Sequence, residues 1–256
     1  MPFEIIDFHM HPFFTQEENS ASFYLPVSQA EAVPEDLRRA GITRFAGSVI
    51  VRVDGHDFAP VRQMNDHALL LRERYSGAYI PGFHIHPAFV RESCEELLRA
   101  KRQGVTLIGE LVPYMMGWDA YASKDALEIF DLASQLGMVV SAHPTNDADM
   151  EALAGAFPHL RIVYAHPGNF AVCAAQVQRL MRYENLYLDI SGTGLFRYGM
   201  LRYAVERAGA DRILFGTDYP ICNPQMQVAG VLYERIRDCD REKIFSGNAR
   251  ALLGLA

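Results

Sequence analysis

Short apolar segments alternate along the chain with longer segments of helical character. Eight runs rich in apolar or β-branched residues are each followed by polar residues, glycine or proline. They are Ile5–His9, Arg44–Val51, Tyr79–His84, Thr106–Leu111, Met138–Ala142, Arg161–Ala165, Leu186–Ile190 and Arg212–Gly216. Nearly continuous apolar runs of this length are typical of parallel strands that are covered on both faces. The pattern therefore predicts eight parallel strands.

Residues that favour the start or the end of a helix stand between these strands. They are Pro34 and Gly41, Ser93 and Gly104, Ser123 and Gly137, and Asn223 with Pro224. Ser93-Cys94-Glu95-Glu96 has the pattern of a capping box, so we expect a helix to begin there. Strands and helices that alternate eight times predict a (β/α)8 TIM barrel, with residues 1–256 as a single domain. An open doubly wound sheet is the alternative, but no GxGxxG turn follows the first strand.

Composition and charge are those of an ordinary globular chain and narrow the choice of partners. The 256 residues are 50% hydrophobic and 21% charged, and the formal net charge is −7. We expect neither nucleic acid nor an anionic membrane as a partner, because both attract basic surfaces. The sequence has no recognisable secretory leader and no run of about 18 apolar residues, which predicts a cytoplasmic protein. The four cysteines form no CxxC pair and are expected to be reduced thiols.

His9 and His11 stand at the end of the first predicted strand. Side chains two positions apart on a strand point to the same side, so the two imidazoles are expected to face together. Histidine is the commonest metal ligand in proteins. The pair therefore predicts part of a metal site.

The other seven predicted strands also end at residues that can carry chemistry. They are Arg52, His84 and His86, Glu110, His143, His166, Asp189 and Ser191, and Asp218. Active sites of (β/α)8 barrels lie at the carboxyl ends of the strands, which would bring these side chains to one face. Imidazole and carboxylate ligands together suit Zn²⁺, Mn²⁺, Fe²⁺ or Co²⁺.

The order of these motifs resembles the amidohydrolase superfamily, and more closely its amidohydrolase-related branch of metal-dependent hydrolases and decarboxylases. The resemblance covers nearly the whole chain. It rests on the HxH of the first strand, on His143-Pro144, on His166-Pro167, on Gly216-Thr217-Asp218-Tyr219-Pro220, and on a closing helix at 243–250.

This resemblance implies that His9, His11, His143 and Asp218 hold a divalent metal, with His166 beside it. We take zinc as the first choice, with manganese, iron or cobalt as alternatives. The resemblance also implies that Asp218 acts as general base and acid, and that His166 bonds the bound water or the substrate.

Glu110 departs from many superfamily members, which bridge two metals with a carboxylated lysine on the fourth strand. None of the three lysines ends a predicted strand, so that subtype is excluded. Glu110 instead resembles the bridging glutamate of TatD-type nucleases, and is predicted as a metal ligand. The alternative is an acid that orients a histidine. One ion and two ions both remain open.

The leading functional hypothesis is a hydrolase that uses metal-activated water on a small amide, lactone or ester. The first alternative is a metal-dependent decarboxylase of a small unsaturated or aromatic acid. The second is a two-metal phosphoesterase, and the third is a barrel that only binds a ligand or partner. Arg52, His86 and Trp118 are predicted to contact the substrate, Arg52 through the fork that guanidinium offers to a carboxylate.

Two segments with aromatic residues follow predicted strands and are expected to wall the pocket. The segment Pro12–Leu25 carries Phe13, Phe14, Phe23 and Tyr24, and Pro113–Tyr121 carries Tyr114, Met115, Met116 and Trp118. The alternative is that these side chains pack against a second subunit, so a homodimer is also predicted.

Overall fold

Eight parallel strands lie in one sheet in the order in which they occur along the chain. The computed structural model describes residues 3–16, 18–19 and 29–255. The strands are β1 (Ile6–Met10), β2 (Arg44–Gly47), β3 (Tyr79–Phe83), β4 (Leu107–Leu111), β5 (Val139–Ala142), β6 (Arg161–Tyr164), β7 (Leu186–Asp189) and β8 (Ile213–Leu214). Each predicted strand is confirmed, although β2 ends four residues earlier than predicted and β8 has only two residues.

The first and last strands meet and bring the barrel close to closure. Phe8 N donates to Phe215 O at 2.8 Å, and Asp218 N donates to His9 O at 2.8 Å. The Asp7 carboxylate accepts hydrogen bonds from Thr217 N at 2.9 Å and from Thr217 Oγ1 at 2.5 Å. The predicted (β/α)8 barrel is confirmed, and this seam places the HxH motif beside Asp218.

Helices follow the strands on the outside of the barrel, as expected for parallel strands joined by crossovers. They are α1 (Val33–Arg39), α2 (Ala59–Arg74), α3 (Val90–Arg102), α4 (Pro113–Met116), α5 (Lys124–Gln135), α6 (Asp147–Ala156), α7 (Phe170–Arg182), α8 (Met200–Ala208), α9 (Pro224–Leu232), α10 (Asp238–Glu242) and α11 (Asn248–Leu253). In the described part of the chain, no helix combines the length and the apolar character that crossing a membrane requires.

The helix-start signals are confirmed at three positions and wrong at one. Pro34 lies in the first turn of α1. The side chains of Ser123 and Asn223 cap α5 and α9. Helix α3 begins at Val90, so Ser93 lies inside it rather than at its start. Ser93 Oγ instead accepts a hydrogen bond from His86 N and donates one to His86 O, both at 2.9 Å. A tertiary contact has replaced the local cap.

Buried apolar side chains from six strands meet in one cluster, which is possible only inside the barrel. The cluster contains Ile6, Phe8, Ala46, Leu107, Val139, Val163 and Leu214, with Ala249, Leu252 and Leu253 of α11. The polar residues at the strand ends are therefore held above a packed interior, which limits their movement.

His84 belongs to the fold rather than to an exposed surface. Its ring is fully buried, and Nε2 lies 2.8 Å from Val49 O. Burial lowers the pKa of His84 from 6.5 to about 4, because the apolar surroundings disfavour the charged ring.

We expect this lowered pKa to make the protein less stable in mild acid. Between about pH 6.5 and pH 4, His84 is protonated in the unfolded chain but neutral in the folded protein. The contribution of neutral His84 to the free energy of unfolding is therefore fully present above pH 6.5 and is lost progressively as the pH falls to about 4. The loss over this window amounts to about 3 kcal/mol. His84→Gln keeps a donor for Val49 O. The variant should lose this part of the difference between the free energies of unfolding that urea titrations give at pH 7 and pH 5. His159→Gln, at an exposed histidine, should retain it. Equal declines in all three proteins would contradict the assignment.

Candidate metal centre

His9 and His11 point their Nε2 atoms at one another across 3.2 Å. Asp218 Oδ1 lies 3.6 Å from His9 Nε2 and 3.5 Å from His11 Nε2. All three residues are buried, and Asp218 is the most exposed of them at 6%. The structure thus brings together the two imidazoles and the carboxylate that the sequence motifs predict at one end of the barrel.

Glu110 lies at the centre of four histidines. Its Oε2 is 3.4 Å from the Nε2 atoms of both His9 and His11. Its Oε1 is 3.1 Å from His143 Nδ1 and 3.3 Å from His166 Nε2. His143 therefore joins the cluster through Glu110. The predicted site residues of β1, β4, β5, β6 and β8 form one constellation.

The donor set fits a divalent metal ion. Ligand atoms of His9, His11 and Asp218 lie within 4.8 Å of one another, as do those of His9, Glu110 and His166. Asp218 Oδ1 is buried and has no hydrogen-bond partner in the described part of the chain. A buried carboxylate oxygen without a partner is costly unless a cation or a donor satisfies it. Imidazole and carboxylate are ligands that first-row divalent metals accept.

The histidines and carboxylates of the cluster stabilise each other's charged forms. Burial by itself lowers the pKa of His11, but the neighbouring carboxylates of Asp218 and Glu110 outweigh it and raise the pKa to about 9. For His166, burial also acts to lower the pKa, and the bond and charge of Glu110 raise it overall. Burial acts to raise the pKa of Glu110, yet the neighbouring His9 charge and hydrogen bonds from the other histidines hold it well below its usual range.

The end of β7 determines which ring nitrogen of His9 and of His166 faces the cluster. Asp189 Oδ2 is in very short hydrogen-bond contact with His9 Nδ1. His166 Nδ1 lies 3.3 Å from Ser191 O and 3.1 Å from Ser191 Oγ, and that hydroxyl donates to Asp189 Oδ2 at 3.0 Å. We assign the proton to Nδ1 in both rings from these acceptors. The Nε2 atoms of His9 and His166 are then directed inwards.

The backbone is strained at two residues of the constellation. His166 and Asp218 both have φ of 63°, in the left-handed region that residues other than glycine rarely adopt. Such conformations cost about 1–3 kcal/mol each and are concentrated at functional sites. Here they turn both side chains towards the same group of donors.

The cluster is most open beside His143, whose side chain is 28% exposed, compared with 1% for His9. The Tyr114 ring lies edge-on to His143, with 5.4 Å between ring centroids, as expected for a residue that walls the site. Arg52 is exposed and donates from Nη1 to Tyr114 O at 3.3 Å. This bond ties Arg52 to the backbone of the residue whose ring faces His143.

Two of the predicted substrate residues make contacts within the protein. Both ring nitrogens of His86 contact the backbone, Nε2 at 2.8 Å from Met116 O and Nδ1 at 3.1 Å from Ala88 N. Trp118 is buried, with its ring packed edge-on against Tyr121. Phe23 and Tyr24, expected to wall the pocket, lie outside the described residues. The assignments of His86 and Trp118 to substrate binding stay predictions.

Two groups that hold the histidines in place were missed by the sequence reasoning. Ser48 O lies 3.3 Å from His11 Nδ1. The Tyr121 hydroxyl contacts Leu111 O and His143 O at 2.9 Å each. A backbone carbonyl has no sequence signature, and Tyr121 lies in an aromatic loop whose fold the sequence does not define. The local sequence therefore gives no sign of either contact.

Asp189 is expected to support metal binding through the tautomer of His9. In Asp189→Asn, an amide N–H can donate a hydrogen bond to His9 Nδ1, which favours the tautomer with its proton on Nε2 and so removes the lone pair that faces the cluster. We expect manganese affinity, measured by calorimetric titration, to fall about 10- to 100-fold. Asp240→Asn, a buried carboxylate paired with Arg237, is the matched control and should bind normally. Unchanged affinity in Asp189→Asn would contradict this role.

The sequence profile of the amidohydrolase family matches residues 6–255. The chain belongs to the amidohydrolase family. The predicted resemblance is confirmed, and with it an enzyme of this superfamily.

The curated relatives of this family member are decarboxylases. Gamma-resorcylate decarboxylase of Polaromonas sp. (strain JS666 / ATCC BAA-500) is 43% identical over 72 residues, which are 28% of this chain and 22% of the relative. Two further relatives, from Rhizobium sp. (strain MTP-10005) and Rhizobium radiobacter, carry the same name. The matched segments span less than half of each relative's own length, between 22% and 44%.

Solved structures show that the fold is shared over the whole chain. A 2,6-dihydroxybenzoate decarboxylase from Rhizobium superposes with a TM-score of 0.76 at 17% identity, covering 99% of both chains. A dihydroxybenzoic acid decarboxylase from Polaromonas sp. JS666, with bound manganese and the inhibitor 2-nitroresorcinol, has a TM-score of 0.72 at 20% identity. It covers 99% of this chain and 97% of that one.

These comparisons correct the main functional prediction. The hydrolase hypothesis is wrong, because the curated relatives are decarboxylases and agree with its first alternative. The first choice of zinc stays a prediction, and one solved neighbour has bound manganese. The prediction of a site for a divalent metal agrees with the donor set of the structure.

Proposed function

We propose that this protein is a metal-dependent decarboxylase of an aromatic or unsaturated carboxylic acid. The observation that carries the proposal is the local identity with gamma-resorcylate decarboxylases, up to 43% over 72 residues. The site is consistent with that reaction, since it combines a buried metal-donor set with a histidine whose raised pKa favours the protonated form.

Decarboxylation replaces a carbon–carbon bond by a carbon–hydrogen bond. The bond to the carboxylate breaks, its electron pair remains on the substrate carbon, carbon dioxide leaves, and a proton takes its place. The enzyme must therefore bind a carboxylate and deliver one proton. A divalent ion bound at the centre would supply positive charge to the substrate's oxygen atoms.

His166 is our candidate for the proton donor. Its Nδ1 faces acceptors of Ser191, so the proton to be transferred is the one on Nε2, beside Glu110 Oε1 at 3.3 Å. Its pKa, raised by Glu110 against the effect of burial, keeps Nε2 protonated at higher pH than in a free histidine. The side chain is 16% exposed, which leaves it accessible to a ligand.

Asp218, His11 and His9 would hold the ion, the aspartate through its unpartnered Oδ1. Asp218 Oδ2 remains available to relay a proton to or from the substrate. Arg52, bonded to Tyr114 O, would hold the substrate carboxylate before reaction. Each of these roles is part of the proposal.

We further propose one ion per chain. The two groups of donors that could bind a metal share His9. His9 Nδ1 is engaged by Asp189, so only Nε2 has a lone pair, and one lone pair binds one ion. Elemental analysis after loading with manganese and desalting should find about one ion per chain. Two ions per chain would contradict the shared-ligand argument and return Glu110 to a bridging role.

The activity is tested with the protein loaded with manganese and, separately, with zinc. 2,6-Dihydroxybenzoate and 5-carboxyvanillate, the compounds for which its structural neighbours are named, are the first substrates to examine. We expect one carbon dioxide per substrate consumed, and in D₂O one deuterium at the carbon that lost the carboxylate. Loss of activity with EDTA and recovery with manganese would show the metal requirement. Release of an alcohol or amine from esters or amides without carbon dioxide would overturn the proposal.

A further inference from the structure

A cavity of 350 Å³ lies next to the metal centre, between the segment after β7 and helix α9. Its wall includes Leu195, Phe196, Cys222 and Met226, so it is largely apolar. Phe196 and Met226 are each 68% exposed, and both lie on its wall. Ligand pockets commonly have volumes of about 300–1,000 Å³ and apolar walls.

Gly192 lies beside both this cavity and the constellation. It lines the cavity, and the position that a Cβ would occupy there is 2.5 Å from His166 Nδ1 and 3.2 Å from Asp218 Oδ2. Gln227, another wall residue, donates from Nε2 to Gly192 O at 2.6 Å and holds the Gly192 backbone in place. Cys222 follows Asp218 by one turn, and its N–H donates to Asp218 O.

We propose that this cavity, called here the α9 subsite, binds the apolar part of the carboxylic acid substrate. The inference rests on the proposed function for the carboxylate end of the ligand. The donors and the exposed Arg52 attract that charged end, whereas the α9 subsite offers apolar surface immediately beyond His166 and Asp218. An acid with an apolar substituent of a few carbon atoms would satisfy both regions at once.

The subsite predicts that apolar substituents increase affinity independently of turnover. We would measure the binding of benzoate, 3-propylbenzoate and 4-propylbenzoate to the manganese-loaded protein by calorimetry. Burial of part of a propyl group should make at least one propyl isomer bind about tenfold more tightly than benzoate. Equal affinities, or no measurable binding of any of the three, would overturn the proposal.

Variants of the wall then locate the propyl group. In Leu195→Asn the ratio of the benzoate and propylbenzoate dissociation constants should fall towards one, because an amide replaces apolar wall surface. Met226→Trp changes an exposed wall residue and should alter the same ratio without burdening the fold. Leu98→Asn on α3 and Met181→Trp on α7 are matched controls at exposed positions and should keep the wild-type ratio. An unchanged ratio in both wall variants would place the propyl group elsewhere and overturn the subsite.

Two other outcomes are distinguishable from this one. If a second copy of the chain covers the cavity, sedimentation will show a dimer that the wall variants dissociate, and the subsite proposal fails. If the affinity ratios hold but no tested acid releases carbon dioxide, the α9 subsite stands and the decarboxylase proposal fails.

Discussion

Asp218→Asn is expected to lower the rate of carbon dioxide release by about 10³-fold. Asparagine preserves the shape of the side chain but removes the charge that faces His9 and His11 at 3.6 and 3.5 Å. It also removes the oxygen proposed to relay a proton, and general acid–base groups contribute about 10²–10⁴ to rates. The measurement is kcat for decarboxylation under saturating substrate, with the bound manganese determined on the same sample.

The metal content separates the two roles of Asp218. Loss of both ion and activity assigns the effect to metal binding, whereas loss of activity with the ion retained assigns it to proton transfer. Asp211→Asn is the control, because Asp211 pairs with Lys243 at an exposed position and should be neutral. Activity within threefold of wild type in Asp218→Asn would remove this residue from the mechanism.

Gly192→Ala is expected to lower kcat by about 100-fold while the barrel remains folded. Gly192 has φ of +66°, and the added Cβ would lie 2.5 Å from His166 Nδ1. The methyl group must displace the His166 ring, and misplacement of a reacting group by about 1 Å can cost 10²-fold. The measurements are kcat with the preferred acid and the thermal midpoint of unfolding.

Gly77→Ala is a matched control for backbone strain. Gly77 has φ of +82°, but a Cβ there has no atom within 4 Å. In both variants an alanine must adopt a left-handed backbone conformation, which costs about 1 kcal/mol or more of stability. Only in Gly192→Ala does the added methyl group also contact the site. We expect Gly77→Ala to lose stability and keep full activity. Equal loss of activity in the two variants would show that strain, and not contact with His166, is responsible.

Much of the fold could be predicted because its signals are local. Each strand is a short apolar run, and the side chains of His9 and His11 share a direction because strand side chains alternate. The Ser123 and Asn223 caps were also readable from neighbouring residues. Ser93 shows the limit of such signals. Its capping-box pattern was real, but the His86 backbone offered the hydroxyl a tertiary partner instead.

The candidate site was predictable in its membership and not in its arrangement. The histidines and Asp218 were found from their positions at strand ends, and Glu110 was found with two alternative roles. That Glu110 contacts four histidines follows from side chains at the ends of β1, β4, β5 and β6 that meet in the folded barrel. The hydrolase hypothesis failed for a related reason. The same donor types serve water activation and carboxylate chemistry, so residue identity did not distinguish the two reactions.

By itself the sequence determined eight strands, one barrel and a set of metal-donor side chains at the strand ends, because periodicity and residue type are local properties. Only the tertiary structure decided what each donor faces. Closure of β8 onto β1 brought Asp218 to His9, the end of β7 directed the inward nitrogens of His9 and His166, and the fold turned both nitrogens of His86 to the backbone. These contacts join residues that are mostly far apart in the chain, and their geometry exists only once the barrel has packed.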